Sequence, residues 1–187
     1  MSDFKILGIS GSIRKGSFNT MSLRAAQEVA PAGVTVEICD ISDLPMYNDD
    51  IRAAGYPASV QRMRAQVAAA DAVLFATPEY NYAVSAPLKN AFDWISRPPD
   101  QPLANKAVGI MSASGGPLGG VRAQYALRHM LVATNSYAVN NPQVVIGGAP
   151  QKFDESGKFN DPMGRDLIKQ LLEAMVKLAK QLRAPVA

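Results

Sequence analysis

Cysteine and histidine are nearly missing from this chain: Cys39 and His129 stand alone among 187 residues. One cysteine cannot form a disulfide within the chain, so no covalent framework is available to the fold. One histidine, in a helical pattern at 124–132 and without partners at ligand spacing, points to no metal centre and no catalytic triad. Cys39 closes an apolar run and reads as a small buried hydrophobe. Charge of one sign is also lacking. Nineteen basic against 16 acidic residues leave +3, and no Lys/Arg run with interleaved aromatics argues for nucleic acid. No apolar run approaches the ~20 residues that a bilayer span needs. The opening MSDFK carries no basic leader before an apolar core, which sets the expectation of a cytoplasmic protein without membrane contact.

What is present is alternation. Strand-like runs fall at residues 5–9, 34–39, 72–77 and 106–112, with a weaker pair at 137–139 and 144–146. The first, third and fourth are near-continuously apolar, as expected of parallel strands buried on both faces. Helical stripes lie between them: Phe18, Met21, Ala25 and Val29; then Val60, Met63 and Val67. The last, Leu167, Leu171, Met175, Leu178 and Leu182, is the clearest. Asp161 and Pro162 start that helix with a capping acid and a first-turn proline. Residues 40–57 and 97–105 read as loops. The pattern predicts one doubly wound α/β domain over residues 1–187.

The stretch GSIRKGSFN, from Gly11 to Asn19, joins the first strand to the first helix. A plain connection needs one turn residue and a cap. This one supplies two glycines, two cations and the side chains of Ser12, Ser17 and Asn19. Such a loop at a helix N-terminus suits an anion, with Arg14 able to grip phosphate oxygens in a bidentate manner. The glycine spacing matches neither the P-loop nor the dinucleotide fingerprint. Asp40, ending the second strand, keeps a nicotinamide-binding Rossmann domain open as a reading.

Two more such loops follow. TPEYNYAVSAPLKNAFDW, Thr77 to Trp94, comes after the third strand, and SASGGPLGG, Ser112 to Gly120, after the fourth. In the strand order 2-1-3-4-5 the first, third and fourth strands are neighbours, so their loops converge on one crevice. One end would hold phosphate, and the rest would offer backbone and aromatic surface to a planar ring.

In order and spacing these three segments resemble the NADPH-dependent FMN reductase family, most closely its bacterial quinone and chromate reductases. The resemblance spans residues 5–142. It implies a flavodoxin-like three-layer sandwich on a five-stranded parallel sheet, tight non-covalent FMN, and NADPH or NADH as co-substrate. Carried over by position, Ser12, Ile13, Arg14, Lys15, Gly16, Ser17, Phe18 and Asn19 would border the phosphate and ribityl chain, with Lys15 itself either left in water or an aid to the phosphate of NADPH. Pro78, Glu79, Tyr80, Asn81 and Tyr82 would border the ring, and Ser114 and Gly115 would complete the site. The resemblance also implies a ping-pong cycle. The nicotinamide reduces the flavin and leaves, and a quinone, free flavin, chromate or similar small acceptor then takes two electrons. No side chain stands out as catalytic in its own right, which fits chemistry carried by a cofactor. Glu79 either contacts the cofactor or orders its loop by salt bridges. Family members form dimers or tetramers; Phe92, Trp94 and Tyr125 read as core or subunit-interface residues rather than ring-stacking ones, and Leu88 and Arg122 are further interface candidates. A single-electron carrier of the flavodoxin type and a non-redox nucleotide-binding module are the competing readings; the mildly basic charge argues against the acidic carriers.

Overall fold

The computed structural model describes residues 4–183. In chain order the elements begin with β1 (Phe4–Ser10), α1 (Phe18–Glu28), β2 (Val34–Cys39), α2 (Asp49–Ala54), α3 (Ala58–Ala69) and β3 (Ala72–Thr77). A hairpin of β4 (Glu79–Tyr80) and β5 (Ala83–Val84) leads into α4 (Ala86–Ile95) and β6 (Ala107–Ala113). The chain continues through α5 (Val121–Leu131), β7 (Tyr137–Ala138), β8 (Val144–Ile146) and α6 (Pro162–Arg183).

The main sheet is parallel, ordered β2-β1-β3-β6, with β7 and β8 both paired to β6 at the far edge. This is the expected 2-1-3-4-5 arrangement with its fifth strand in two pieces. β7 pairs beside Ala107 and Val108, and β8 beside Met111 to Ala113. The break between them contains Pro142, which has no N–H to continue a ladder. Arg128 braces the break by donating to the Val139 carbonyl at 2.8 Å and to Asn140 Oδ1 at 3.1 Å.

Side chains alternate across a strand, and neighbours in sequence therefore enter opposite halves of the core. Ile6, Leu74 and Met111 pack with Leu23 of α1 and Ile168, Leu171 and Met175 of α6. Leu7, Val73 and Phe75 pack with Met63 of α3, Trp94 of α4 and Leu127 of α5. Each such buried aliphatic or aromatic side chain contributes about 1.5–3 kcal/mol of transfer free energy. Of the anticipated α6 stripe, Leu171 and Met175 are fully buried and Leu167, Leu178 and Leu182 only partly; Gly164, Ile168, Leu172 and Ala179 complete the buried face, and Asp161 Oδ1 accepts the N–H groups of Met163 and Gly164 at the helix start. α6 lies so close to the sheet that a Cβ on Gly109 would stand 2.3 Å from Met175 Sδ.

One expectation changes, and one alternative is decided. Residues 40–57 include the short helix α2, capped by Asn48, whose side chain accepts from the Asp50 N–H. Leu88, Phe92 and Trp94 are buried within this chain, Trp94 Nε1 donating to the Pro45 carbonyl at 2.8 Å. The apolar content of α4 is thus consumed by its own core and does not mark an interface.

Candidate functional site

The three loops meet beyond the carboxyl ends of β1, β3 and β6, where adjacent parallel strands deliver them side by side. The first is tightly ordered at its base. Thr20 Oγ1 donates to Ser10 Oγ at 2.9 Å, and Ser10 in turn bonds the backbone of Ser12. Gly11 is required by close approach: a Cβ there would lie 2.9 Å from Ser85 Oγ and 3.1 Å from Pro78 Cδ. Ser85 directly precedes α4, and its hydroxyl donates to the Gly11 carbonyl at 2.5 Å, clamping the second loop to the first.

Ser17 caps α1, its Oγ accepting from the Thr20 N–H at 3.3 Å. First-turn N–H groups have no acceptor inside a helix, so those of Phe18 and Asn19 face outward at the positive end of the dipole. Asn19 is engaged differently. Its Nδ2 donates to the Ala113 carbonyl and its Oδ1 accepts from the Ala113 N–H, both at 3.0 Å. The side chain rivets the first loop to the third, leaving its backbone for a ligand. Arg14 is exposed, with its guanidinium 5.7 Å from the centre of the Phe18 ring.

The second loop is the β4–β5 hairpin. Asn81 and Tyr82, at φ of 51° and 66°, form its two-residue turn with both residues left-handed. Glu79 anchors it. One carboxylate oxygen accepts the Arg122 N–H at 3.0 Å, the other pairs with the Arg122 guanidinium at 2.7 Å, and that guanidinium lies 4.2 Å from the centre of the Tyr82 ring. Both oxygens are spent, which favours the ordering role for Glu79. The third loop folds onto the chain after β8, with Ser114 N–H donating to the Ile146 carbonyl and its C=O accepting from Ala149.

A cleft of about 260 Å³ results, lined by Ser12, Arg14, Ser17, Phe18, Asn19, Pro78, Glu79, Tyr80, Ala113, Ser114 and Gly115. Ten of the expected residues meet there, with Ala113 in addition. Asn81 and Tyr82 stand outside it on the hairpin tip, Tyr82 being 71% exposed. Gly16 lies in the turn with Lys15 and does not line the cleft. Ile13 and Lys15 line a neighbouring hollow of about 270 Å³ on the β2 side, with Asp40, Ile41 and Ser42. Cys39 lies in that wall; burial pushes its thiol up to about 11. Sequence reasoning passed over Ser10, Ser85, Ala113 and Arg122. Only Ser10 carried a local signal, as a hydroxyl directly before the loop; the others act across long separations.

A parallel sheet with three loops converging on an anion-suited helix start defines a flavodoxin-type nucleotide-binding protein. A sequence model of the NADPH-dependent FMN reductase family matches residues 4–151, and the chain belongs to that family. The NAD(P)H-dependent FMN reductase of Pseudomonas aeruginosa is 48% identical over 181 residues, covering 97% of this chain and 98% of its own. The quinone reductase of Escherichia coli K12 is 43% identical over 160 residues, 84% of this chain and 85% of that protein. Among solved structures, a flavoenzyme NAD(P)H:(acceptor) oxidoreductase from Paracoccus denitrificans superimposes with a TM-score of 0.85 at 29% identity. That match covers 95% of this chain and 98% of the other.

The cleft's chemistry fits FMN. One end has the α1 N-terminus, the hydroxyls of Ser12 and Ser17 and the Arg14 guanidinium, groups suited to a phosphate; its other end has backbone and the Tyr80 ring. Among the described residues no group of three His, Cys, Asp or Glu side chains is placed to hold a metal ion, and no helix is long and apolar enough to cross a membrane.

Proposed function

We propose that the chain is an FMN-dependent NAD(P)H oxidoreductase that reduces quinones or similar small electrophiles by two-electron transfer. The observation that carries this reading is the convergence of Ser12, Arg14, Ser17, Pro78, Tyr80, Ser114 and Gly115 on one cleft in a chain of this family. Bound FMN supplies the hydride chemistry. The protein binds and orients: Arg14, Ser12, Ser17 and the α1 N-terminus hold the phosphate, while the 78–80 segment and the Ser114–Gly115 turn border the ring. Glu79 is committed to Arg122 and keeps the hairpin in place. No side chain in the cleft is needed to shuttle a proton, so protons come from solvent at its open mouth. The names of the relatives support quinone or flavin as acceptor.

The same reading takes residues 1–187 as one cytoplasmic domain that assembles as a dimer or dimer of dimers. Exposed Leu118, Tyr125 and Val132, on and beside α5, are the apolar surface such an assembly would cover. Light scattering checks this, and a monomer would refute it. The central test is anaerobic mixing of the purified yellow protein with NADPH or NADH. Rapid loss of the flavin's visible absorbance, restored by a quinone, is expected. Protein that binds no FMN, or bound FMN that neither nucleotide reduces, would overturn the proposal.

A further inference from the structure

We infer that the hollow beside the phosphate loop receives the adenosine end of the nicotinamide dinucleotide, with Lys15 placed to meet a 2′-phosphate. This rests on the reading of the chain as an NAD(P)H oxidoreductase and assigns the half of the dinucleotide that the FMN cleft does not take. The hollow, about 270 Å³, lies between the first loop and the carboxyl end of β2. It shares Ser12 and Arg14 with the FMN cleft, so only the loop separates the two. A dinucleotide with its nicotinamide at the cleft would straddle that loop and lay its other end here.

The lining suits that end group by group. Ile13, Ile38 and Ile41 give an apolar wall on which a purine can lie. Asp40 follows the last residue of β2, the position from which doubly wound folds present an acid to the adenosine ribose. Its Oδ1 accepts the Ser42 N–H at 2.8 Å, which fixes the carboxylate and leaves its second oxygen for a ribose hydroxyl. Nearby Arg62 is not free to bind phosphate, because it is paired in bidentate fashion with Asp43. Arg14 is committed to the FMN phosphate. Lys15, exposed at the rim and in no ion pair among the described residues, is the cation that remains. An ammonium on a flexible stem can meet a phosphate when one is present and return to water when it is not. Asp40 and Lys15 in one hollow would therefore let the chain accept NADH through the ribose hydroxyl and NADPH through the phosphate.

The test compares KM for NADPH and for NADH, with a quinone acceptor, in the parent, Lys15→Ala and Lys15→Arg holoenzymes, with bound FMN measured for each. Losing one charge-assisted contact should raise the ratio of KM for NADPH to KM for NADH by roughly ten-fold or more in Lys15→Ala, and Lys15→Arg should restore most of it. In the parent, 2′,5′-ADP should compete with NADPH more strongly than 5′-ADP, and Lys15→Ala should erase the difference. An unchanged KM ratio at full FMN content would overturn the inference while leaving the oxidoreductase reading intact. So would loss of FMN from Lys15→Ala, which would assign Lys15 to the flavin phosphate. A parent that oxidises neither nucleotide would instead remove the function on which the inference rests.

Discussion

Arg14 shows how one side chain can matter to binding and hardly at all to folding. It is exposed and forms no salt bridge among the described residues, so its removal leaves no buried group unpaired. The role proposed for it is a charge-assisted, bidentate grip on phosphate. Arg14→Ala should keep the apoprotein's thermal midpoint within a degree or two of the parent apoprotein's while weakening FMN binding by about 1.5–3 kcal/mol, roughly ten- to hundred-fold in Kd. Fluorescence titration of the apoprotein with FMN checks this. Cys39 is the opposite case. Burial disfavours its thiolate and raises its pKa to about 11, and its Sγ donates to Gln66 Oε1 at 3.1 Å. The nucleophile is the thiolate. A thiol reagent at mildly alkaline pH should therefore modify the native protein slowly and the denatured protein fast; equal rates would show that the thiol is exposed.

At the scale of elements, α1 is both a core helix and one wall of the candidate cleft. Its buried face, Leu23, Ala25 and Ala26, fastens it to the sheet, while its first turn faces the cleft. Asn19 connects the two functions through its paired bonds to Ala113, at the end of β6. Asn19→Ala would strand a buried N–H and a buried C=O, costing about 2–4 kcal/mol of stability and loosening the third loop. Urea denaturation of the apoprotein measures the cost, and a loss below about 0.5 kcal/mol would show that water replaces the amide without penalty. The long helices and the three inner strands were legible in the sequence, because continuous apolar runs and stripes at spacings of three and four report burial locally. The hairpin of β4 and β5 was not. Asn81 and Tyr82 take left-handed φ without a glycine to announce it, held by Arg122 some forty residues on. The two pieces of the fifth strand were legible as weak runs at 137–139 and 144–146; that both pair with β6 was not, since runs of two and three residues carry too few side chains to establish a period.

For the whole molecule, strand order decides which loops meet. β1, β3 and β6 are adjacent, so segments far apart in the chain close around one cleft. The return segment between β8 and α6 braces the site from behind, Phe153 stacking on Phe159 at 4.7 Å and standing 5.4 Å from Phe18. Asp154 organises that segment. Hydrogen bonds from Ser156, Asn160 and the Lys158 N–H hold its carboxyl down at about 2, below the ordinary 3.8. A carboxyl depressed by folding contributes stability above its unfolded value and loses that contribution as pH falls toward the folded value. Parent and Asp154→Asn should differ in thermal midpoint at pH 5 and converge between about pH 4 and pH 2. A constant difference across that window would mean that the carboxylate's charge is not what holds the turn.

The sequence by itself determined the layering, the parallel sheet and the identity of the three loops, because burial on both faces of a strand and the chemistry of an anion-binding turn are written in adjacent residues. Only the tertiary structure decided how those residues divide their work. It spends Asn19 on Ala113 and Glu79 on Arg122, turns Lys15 and Ile13 toward a second hollow, and buries the apolar side of α4 within its own chain. The reason is physical: a polar side chain joins whichever unpaired partner the packing brings within 3 Å or so, and partners tens of residues away leave no mark on local spacing.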